Sequence, residues 1–391
     1  MAGHLQKTPP SRNYPKGGWE ARYRVTEGGR RKWRARTFAT KRAAERFLAE
    51  TVTDIHRGEY IDPTKLATTF GEVAAAWIDA SSQKLKPKTL AGYEWCLNKH
   101  LLPEWGSVKV GDVDLAAVQG WIGRMGRAHS PQTVVGSYRI LRLVFAYAVK
   151  LGKIRANPCD RSVMLPEVET RERNYLSHEQ VELLATTIAY RPATSKHGLP
   201  IDRPELGLLI RFASYTGLRA GEIAALRIRH LDLAGGWVSV EEAVSDVGGR
   251  LITGKPKTKK GIRTVPIDAD LSAAVKTHLG DRRLQPDAYL FVGQYGAQWN
   301  HGNFRGRFWK EAVTRAHATD GTFPLALTFH DLRHTYASLL NAAGVSLVEA
   351  ARLMGHSATS MTETYTHLFK ADLSETATRL GAARTAALQL A

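Results

Sequence analysis

At roughly 100–200 residues per domain, 391 residues allow two to four domains. The 43% hydrophobic and 24% charged content fits an ordinary soluble globular protein. The 55 Lys and Arg against 37 Asp and Glu leave a net charge of +18, which favours a polyanionic partner. No apolar run approaches the roughly 20 residues of a membrane helix, and polar residues 1–16 lack a signal-peptide core. Nucleic acid in a cytoplasmic setting is therefore expected rather than a membrane surface. Cys96 and Cys159 share no metal-ligand spacing and read as reduced thiols.

Residues 1–65 read as a small basic α+β domain, with 15 Lys and Arg against 7 Asp and Glu. Trp19, Ala21, Tyr23 and Val25 alternate with Glu20, Arg22 and Arg24, which predicts a strand. A Glu27-Gly-Gly turn leads to a second alternating run with Arg34 and Arg36 on one side. A hairpin is expected to gather Arg22, Arg24, Arg34 and Arg36 onto one face, where a basic ribbon suits the major groove. Thr40 reads as the cap of a helix carrying Ala44, Phe47, Leu48 and Ile55.

Residues 66–165 read as all-helical. Leu90, Tyr93, Leu97 and Leu101 make one stripe, and Val134, Tyr138, Leu141, Phe145 and Val149 another. Ser130-Pro131 predicts a helix start and Gly152 its close. Residues 166–172 read as a linker.

Residues 173–391 open with Ser177-His-Glu-Gln180, a capping box, with Leu176 and Val181 placed for a hydrophobic staple. Helical patterns run to about residue 229. Strand-like runs at 237–244 and 262–267 follow, and then helices to the end. Four pieces of this region could carry chemistry. Thr216-Gly-Leu-Arg-Ala-Gly-Glu-Ile223 puts an arginine after a glycine turn, able to grip a phosphate bidentately. Gly254-Lys-Pro-Lys-Thr-Lys-Lys-Gly261 reads as a hairpin tip with four lysines. Thr328-Phe-His-Asp-Leu-Arg-His-Thr335 places His330 and Arg333 on one helix face. Leu353-Met-Gly-His and Thr362-Glu-Thr-Tyr-Thr-His367 supply His356 and Tyr365. Each alone has an ordinary reading as a capping arginine, a solvated loop, or a packed or surface His or Tyr.

Together, in this order, the four pieces resemble the tyrosine recombinase (phage integrase) family over residues 176–368. The resemblance implies that Arg219 and Arg333 hold the scissile phosphate. It implies that His330 assists proton movement, His356 bonds a non-bridging oxygen and Tyr365 attacks. Glu222 and His334 resemble the family's supporting residues. One hairpin lysine is expected to protonate the leaving group. Counting back from Pro266 with one extra loop residue selects Lys257, with Lys255, Lys259 and Lys260 as competitors. The helical unit resembles the core-site-binding domain, and the basic N-terminal unit resembles the arm-binding domain of temperate-phage integrases. The implied fold is multidomain: a small basic α+β domain, an all-α core-binding domain, and a mainly α catalytic domain with a small antiparallel β-sheet.

The chemistry fits these residue types. Two arginines are permanently charged forks for a phosphate whose charge grows in the transition state. A tyrosine hydroxyl, with a pKa of about 10, becomes a nucleophile when a base or nearby cations favour the phenolate. The 5′-oxygen leaves with a proton from lysine, and the 3′-phosphotyrosine link conserves the bond energy, so no cofactor is expected. No acidic triad suggests a two-metal site, so no metal is implied. The resemblance implies a homotetramer on double-stranded attachment sites, with a host DNA-bending protein and an excisionase as accessory partners. Its tail, 371–391, reads as a helix packed in cis or on a neighbouring protomer. A type IB topoisomerase fits less well because of the two upstream units. A regulator that lost catalysis fits less well because the residue set is complete.

Overall fold

The structure, a computed structural model, describes residues 3–27, 30–57, 60, 67–169, 173–193, 200–256, 258–280, 285–293 and 296–355. Lys257, His356, Tyr365 and the 371–391 tail lie outside the described residues. The chain divides into two units, Met1–Glu169 and Thr170–Ala391.

The first unit begins with an antiparallel sheet of β1 (Gly3–Thr8), β2 (Gly18–Glu27) and β3 (Arg30–Phe38), in that order. Helix α1 (Lys41–Arg57) follows, and Thr40 Oγ1 accepts from the Ala43 amide at 3.3 Å, the cap expected of it. The helix packs on Ala21, Tyr23 and Val25, with Phe47 5.7 Å from the Tyr23 ring and 5.0 Å from that of Phe38.

The pairing overturns one expectation. Glu27 pairs with Arg30, so the hairpin loop has two residues, and every even-numbered residue of β2 faces an odd one of β3. Directly paired residues share a face. Arg22 and Arg24 therefore lie with Ala35 and Trp33, whereas Arg34 and Arg36 lie with Tyr23 and Ala21 on the face that α1 covers. The four arginines do not form one face. Arg36 instead sits over the Phe38 and Phe47 rings, at 5.4 and 5.3 Å.

The rest of this unit is helical: α2 (Phe70–Ser82), α3 (Pro87–Cys96), α4 (Leu102–Trp105), α5 (Leu115–Ala128) and α6 (Pro131–Lys150). A π-type turn, Leu97–Leu101, joins α3 to α4. Ser130 and Pro131 open α6, and Gly152, at φ +63°, follows its end. Phe70, Leu101, Trp121, Leu141 and Phe145 form the core, each contributing about 1.5–3 kcal/mol by burial. Cys96 and Cys159 are buried free thiols, and burial pushes the Cys159 pKa up to about 12.

The second unit opens with α7 (His178–Ala189) behind the Ser177–Gln180 capping box. A short ladder, β4 (Tyr190–Arg191) with β5 (Ile201–Asp202), leads to α8 (Pro204–Thr216), whose Leu209, Ile210 and Phe212 lie at the centre of the core. After α9 (Ala220–Ala225) come β6 (Leu231–Asp232), β7 (Trp237–Val240), β8 (Ala243–Val247), β9 (Arg250–Gly254) and β10 (Arg263–Pro266). The run 237–244 is two strands, not one. One sheet has the order β10-β7-β6, while β8 and β9 form a separate hairpin. The lysine segment is therefore not a hairpin tip, because it carries the chain from one sheet to another and ends in a 3-10 turn, Lys259–Gly261. Helices α10 (Ala269–Leu279), α11 (His301–Phe304), α12 (Lys310–Thr319), α13 (Asp331–Ala342) and α14 (Leu347–Met354) complete the described residues. Trp299 and Trp309 pack on Phe329, at 5.6 and 5.5 Å, and so anchor the start of α13. No helix among the described residues is long and apolar enough to cross a membrane.

Candidate active site

The site is built from turns that the sequence makes unavoidable. Helix α8 stops at Gly217, which is left-handed at φ +61°. A Cβ there would lie 2.3 Å from the Tyr336 ring, so only glycine fits. Two residues later Arg219 caps α9 in an extended conformation. Its amide donates to Glu222 Oε2 and its Nη1 to Glu222 Oε1, both at 2.9 Å. The Arg219 side chain is still 39% exposed, so its fork remains open to an incoming anion.

Glu222 is 3% exposed. It also accepts from Arg263 Nη1 at 3.1 Å and Nη2 at 2.9 Å. Burial raises its pKa, but the Arg263 bonds and charge and then Arg219 outweigh this, so it stays a carboxylate below its usual range. A carboxylate this enclosed would be severely destabilising without its two guanidiniums.

Arg333, on the first turn of α13, is 1% exposed. Its Nη1 donates to Gly217 O at 2.5 Å and its Nη2 to Met354 O. It thus spans the turn that precedes Arg219 and the last turn of α14. His330 occupies the cap position of α13, where Asp331 Oδ2 accepts from the Thr328 amide at 2.7 Å and fixes the turn. His330 opens to solvent on one side. The protein packed around it, and then the charges of Arg333 and Arg219, push its pKa below the usual imidazole value. It is therefore neutral and able to accept a proton near pH 7. His334 meets it edge to face, with ring centroids 5.0 Å apart. Burial, with His330 and Arg173 behind it, pushes the His334 pKa down to about 4.

Helix α14 ends at Gly355, left-handed at φ +64°. A Cβ there would lie 2.8 Å from Lys260 O and 3.2 Å from Arg263 Cδ. The end of the lysine segment and the residue preceding His356 are therefore in contact. The fold thus gathers Arg219, Glu222, His330, Arg333 and His334, while Arg22, Arg24, Arg34 and Arg36 belong to the other unit. Among the described residues, no cluster of three or more His, Cys, Asp or Glu is arranged to hold a metal.

Residues 174–372 match the phage integrase family, and residues 70–163 match the phage integrase central domain. The chain belongs to the phage integrase family. The match spans Arg219 to Tyr365, and the central-domain match coincides with helices α2 to α6. The prophage phiRv2 integrase of Mycobacterium tuberculosis is 27% identical over 370 residues, covering 92% of this chain and 91% of its own. The integrase of Mycobacterium phage L5 is 24% identical over 356 residues, covering 88% and 90%. The Tn1549 transposon integrase in complex with a circular intermediate DNA superposes with a TM-score of 0.64 at 23% identity, covering 75% of this chain and 94% of that one. A lambda integrase tetramer bound to a Holliday junction gives 0.53 at 15% identity, covering 91% and 94%. The structural likeness establishes a multidomain, mostly helical integrase fold with small antiparallel sheets. This integrase is a tyrosine recombinase of the phage or transposon type.

Sequence reasoning missed Arg263. The signal was present: Arg263, Val265 and Ile267 alternate with exposed residues, which puts a charged residue on the inward side of a strand.

Proposed function

We propose that this integrase cuts and rejoins double-stranded attachment-site DNA through a 3′-phosphotyrosine link formed by Tyr365. Arg219 and Arg333 hold the scissile phosphate and stabilise the charge that grows on it. Neutral His330 takes the tyrosine proton, His356 bonds a non-bridging oxygen, and a lysine of the 255–260 segment protonates the leaving 5′-oxygen. Glu222 holds Arg219, and His334 packs against His330. The observation that carries this reading is the meeting of Arg219 and Arg333 beside a neutral histidine, drawn from two segments more than 100 residues apart.

In the proposed layout, residues 1–65 bind arm-type DNA, 66–165 bind the core site, 166–172 link, and 173–391 catalyse. On the sheet of the first domain, Arg22, Arg24 and the half-exposed Trp33 share the open face and suit a DNA groove better than Arg34 and Arg36 do. Four protomers assemble on DNA, by analogy with the lambda integrase tetramer bound to a Holliday junction, and act in the cytoplasm. A host DNA-bending protein and an excisionase complete the expected partners.

The test compares the full chain with Tyr365→Phe on a nicked attachment site in EDTA. The parent enzyme is expected to form a covalent adduct, and the variant to bind equally and form none. An adduct from the Phe variant refutes the assignment.

A further inference from the structure

Arg263 lies at a junction of three elements that the reaction needs together. Its side chain is 5% exposed, and Nε, Nη1 and Nη2 all donate within the protein. Its strand, β10, is held by β7 in the domain sheet, with Arg263 paired to Val240. From this fixed base the guanidinium makes three kinds of tether. Nη1 and Nη2 bond the two oxygens of Glu222, the residue that also holds Arg219. Nη1 bonds Gly261 O, at the end of the lysine segment, at 3.0 Å. Nε bonds Leu353 O, in the last turn of α14, at 2.7 Å. Gly355 closes this junction against Lys260 O and Arg263 Cδ, and His356 is the next residue.

The charge count matters as well. One buried carboxylate sits between two guanidiniums, so the group keeps a net positive charge and Arg219 is not neutralised by its own partner. Only a planar fork with several donors can bond a carboxylate and two carbonyls from one position, and a lysine ammonium cannot span them.

We propose that Arg263 is a positioning residue: it sets the lysine-bearing segment and the start of the segment that carries His356 and Tyr365 against Arg219. This rests on the reading of a lysine in that segment as the general acid. If Arg263 sets that lysine, its removal misplaces the proton donor without removing it. A 5′-bridging sulfur then compensates. When the P–S bond breaks, the sulfur leaves with the electron pair as a thiolate and needs no proton.

The experiment is single-turnover cleavage by the full chain on nicked sites with either a 5′-bridging oxygen or a 5′-bridging sulfur. The enzymes are the parent, Arg263→Met, Arg263→Lys, and alanine variants of Lys255, Lys257, Lys259 and Lys260. Arg263→Met is expected to bind DNA like the parent and to cleave the oxygen substrate about 100-fold more slowly, as for a misplaced group. On the sulfur substrate its deficit is expected to shrink to about 10-fold or less. Arg263→Lys keeps Glu222 paired but loses the carbonyl tethers, and is expected to show a smaller deficit with the same sulfur preference. It supplies the answer if the Met variant does not fold. Equal deficits on both substrates overturn the proposal while a rescued lysine variant leaves the general-acid reading standing. If no lysine variant is rescued by sulfur, that reading fails, and the positioning proposal fails with it.

Discussion

Arginine occupies two different settings in the two units of this integrase. In the second unit, Arg263 and Arg333 are almost fully enclosed, Arg263 bonded to Glu222 and to main-chain carbonyls, and Arg333 anchored through Nη1 and Nη2 to the carbonyls of Gly217 and Met354. Arg219, by contrast, stays open, tied by one edge to Glu222. In the first unit, Arg22 and Arg24 lie on an exposed sheet face, with the Arg24 guanidinium 5.0 Å from the Trp33 ring and Arg22 2.8 Å from Glu20. Enclosed charges are little screened and keep their geometry, which suits stabilising a transition state. Exposed charges are screened and mobile, which suits binding by counterion release. The difference comes from burial, not residue type.

The largest expected effect is on stability. Glu222→Ala strips the shared partner from two guanidiniums, one of them buried. It should cost about 3–5 kcal/mol of unfolding free energy, measured by urea titration. A loss as small as that of an exposed ion pair would erase the distinction between the units. Next, Arg219→Ala should slow cleavage of a nicked site about 100- to 1,000-fold with DNA affinity nearly unchanged. If affinity and its salt dependence fall instead, Arg219 is acting like a surface arginine.

A smaller effect separates the two faces of the N-terminal sheet. Arg22→Ala and Arg24→Ala should each lower the salt slope of arm-site binding by about 1, while Arg34→Ala and Arg36→Ala should change it less. Equal effects from all four would mean that DNA reaches around the sheet edge. The smallest concerns His334. Its folded pKa of about 4 lies below the reference 6.5, so the folded state resists protonation. Its stabilising contribution is present above pH 6.5 and is lost as pH falls from there toward 4. His334→Gln should flatten the acid-side decline in the urea midpoint over that window. An unchanged decline would place the titrating group elsewhere.

Much of this was legible in the chain. Local signals carried well: the Thr40 cap, Ser130-Pro131, the Ser177–Gln180 box and the Gly217 stop all act within one helical turn, where sequence spacing is geometry. Arg219, His330 and Arg333, singled out from their local motifs, are brought together by the fold. What failed was non-local. Alternation told which side chains of each strand share a face, but only the two-residue loop decided how the faces of β2 and β3 combine. The strand-like flanks of the lysine segment predict a hairpin tip. β10 pairs with β7 instead, and no local pattern announces that partner. Strand β1 was missed because its Gly-His-Leu-Gln-Lys-Thr sequence has too few apolar residues to show a period on this sheet edge.

On the proposed mechanism, Tyr365 becomes covalently joined to DNA without metal assistance. The direct measurement is to trap the full chain on a nicked attachment site in EDTA, digest the adduct and locate the modified peptide by mass spectrometry. The predicted result is a single phosphotyrosine linkage to a 3′-phosphate, on Tyr365. Linkage through another residue, or an adduct that forms only when magnesium is restored, would contradict it.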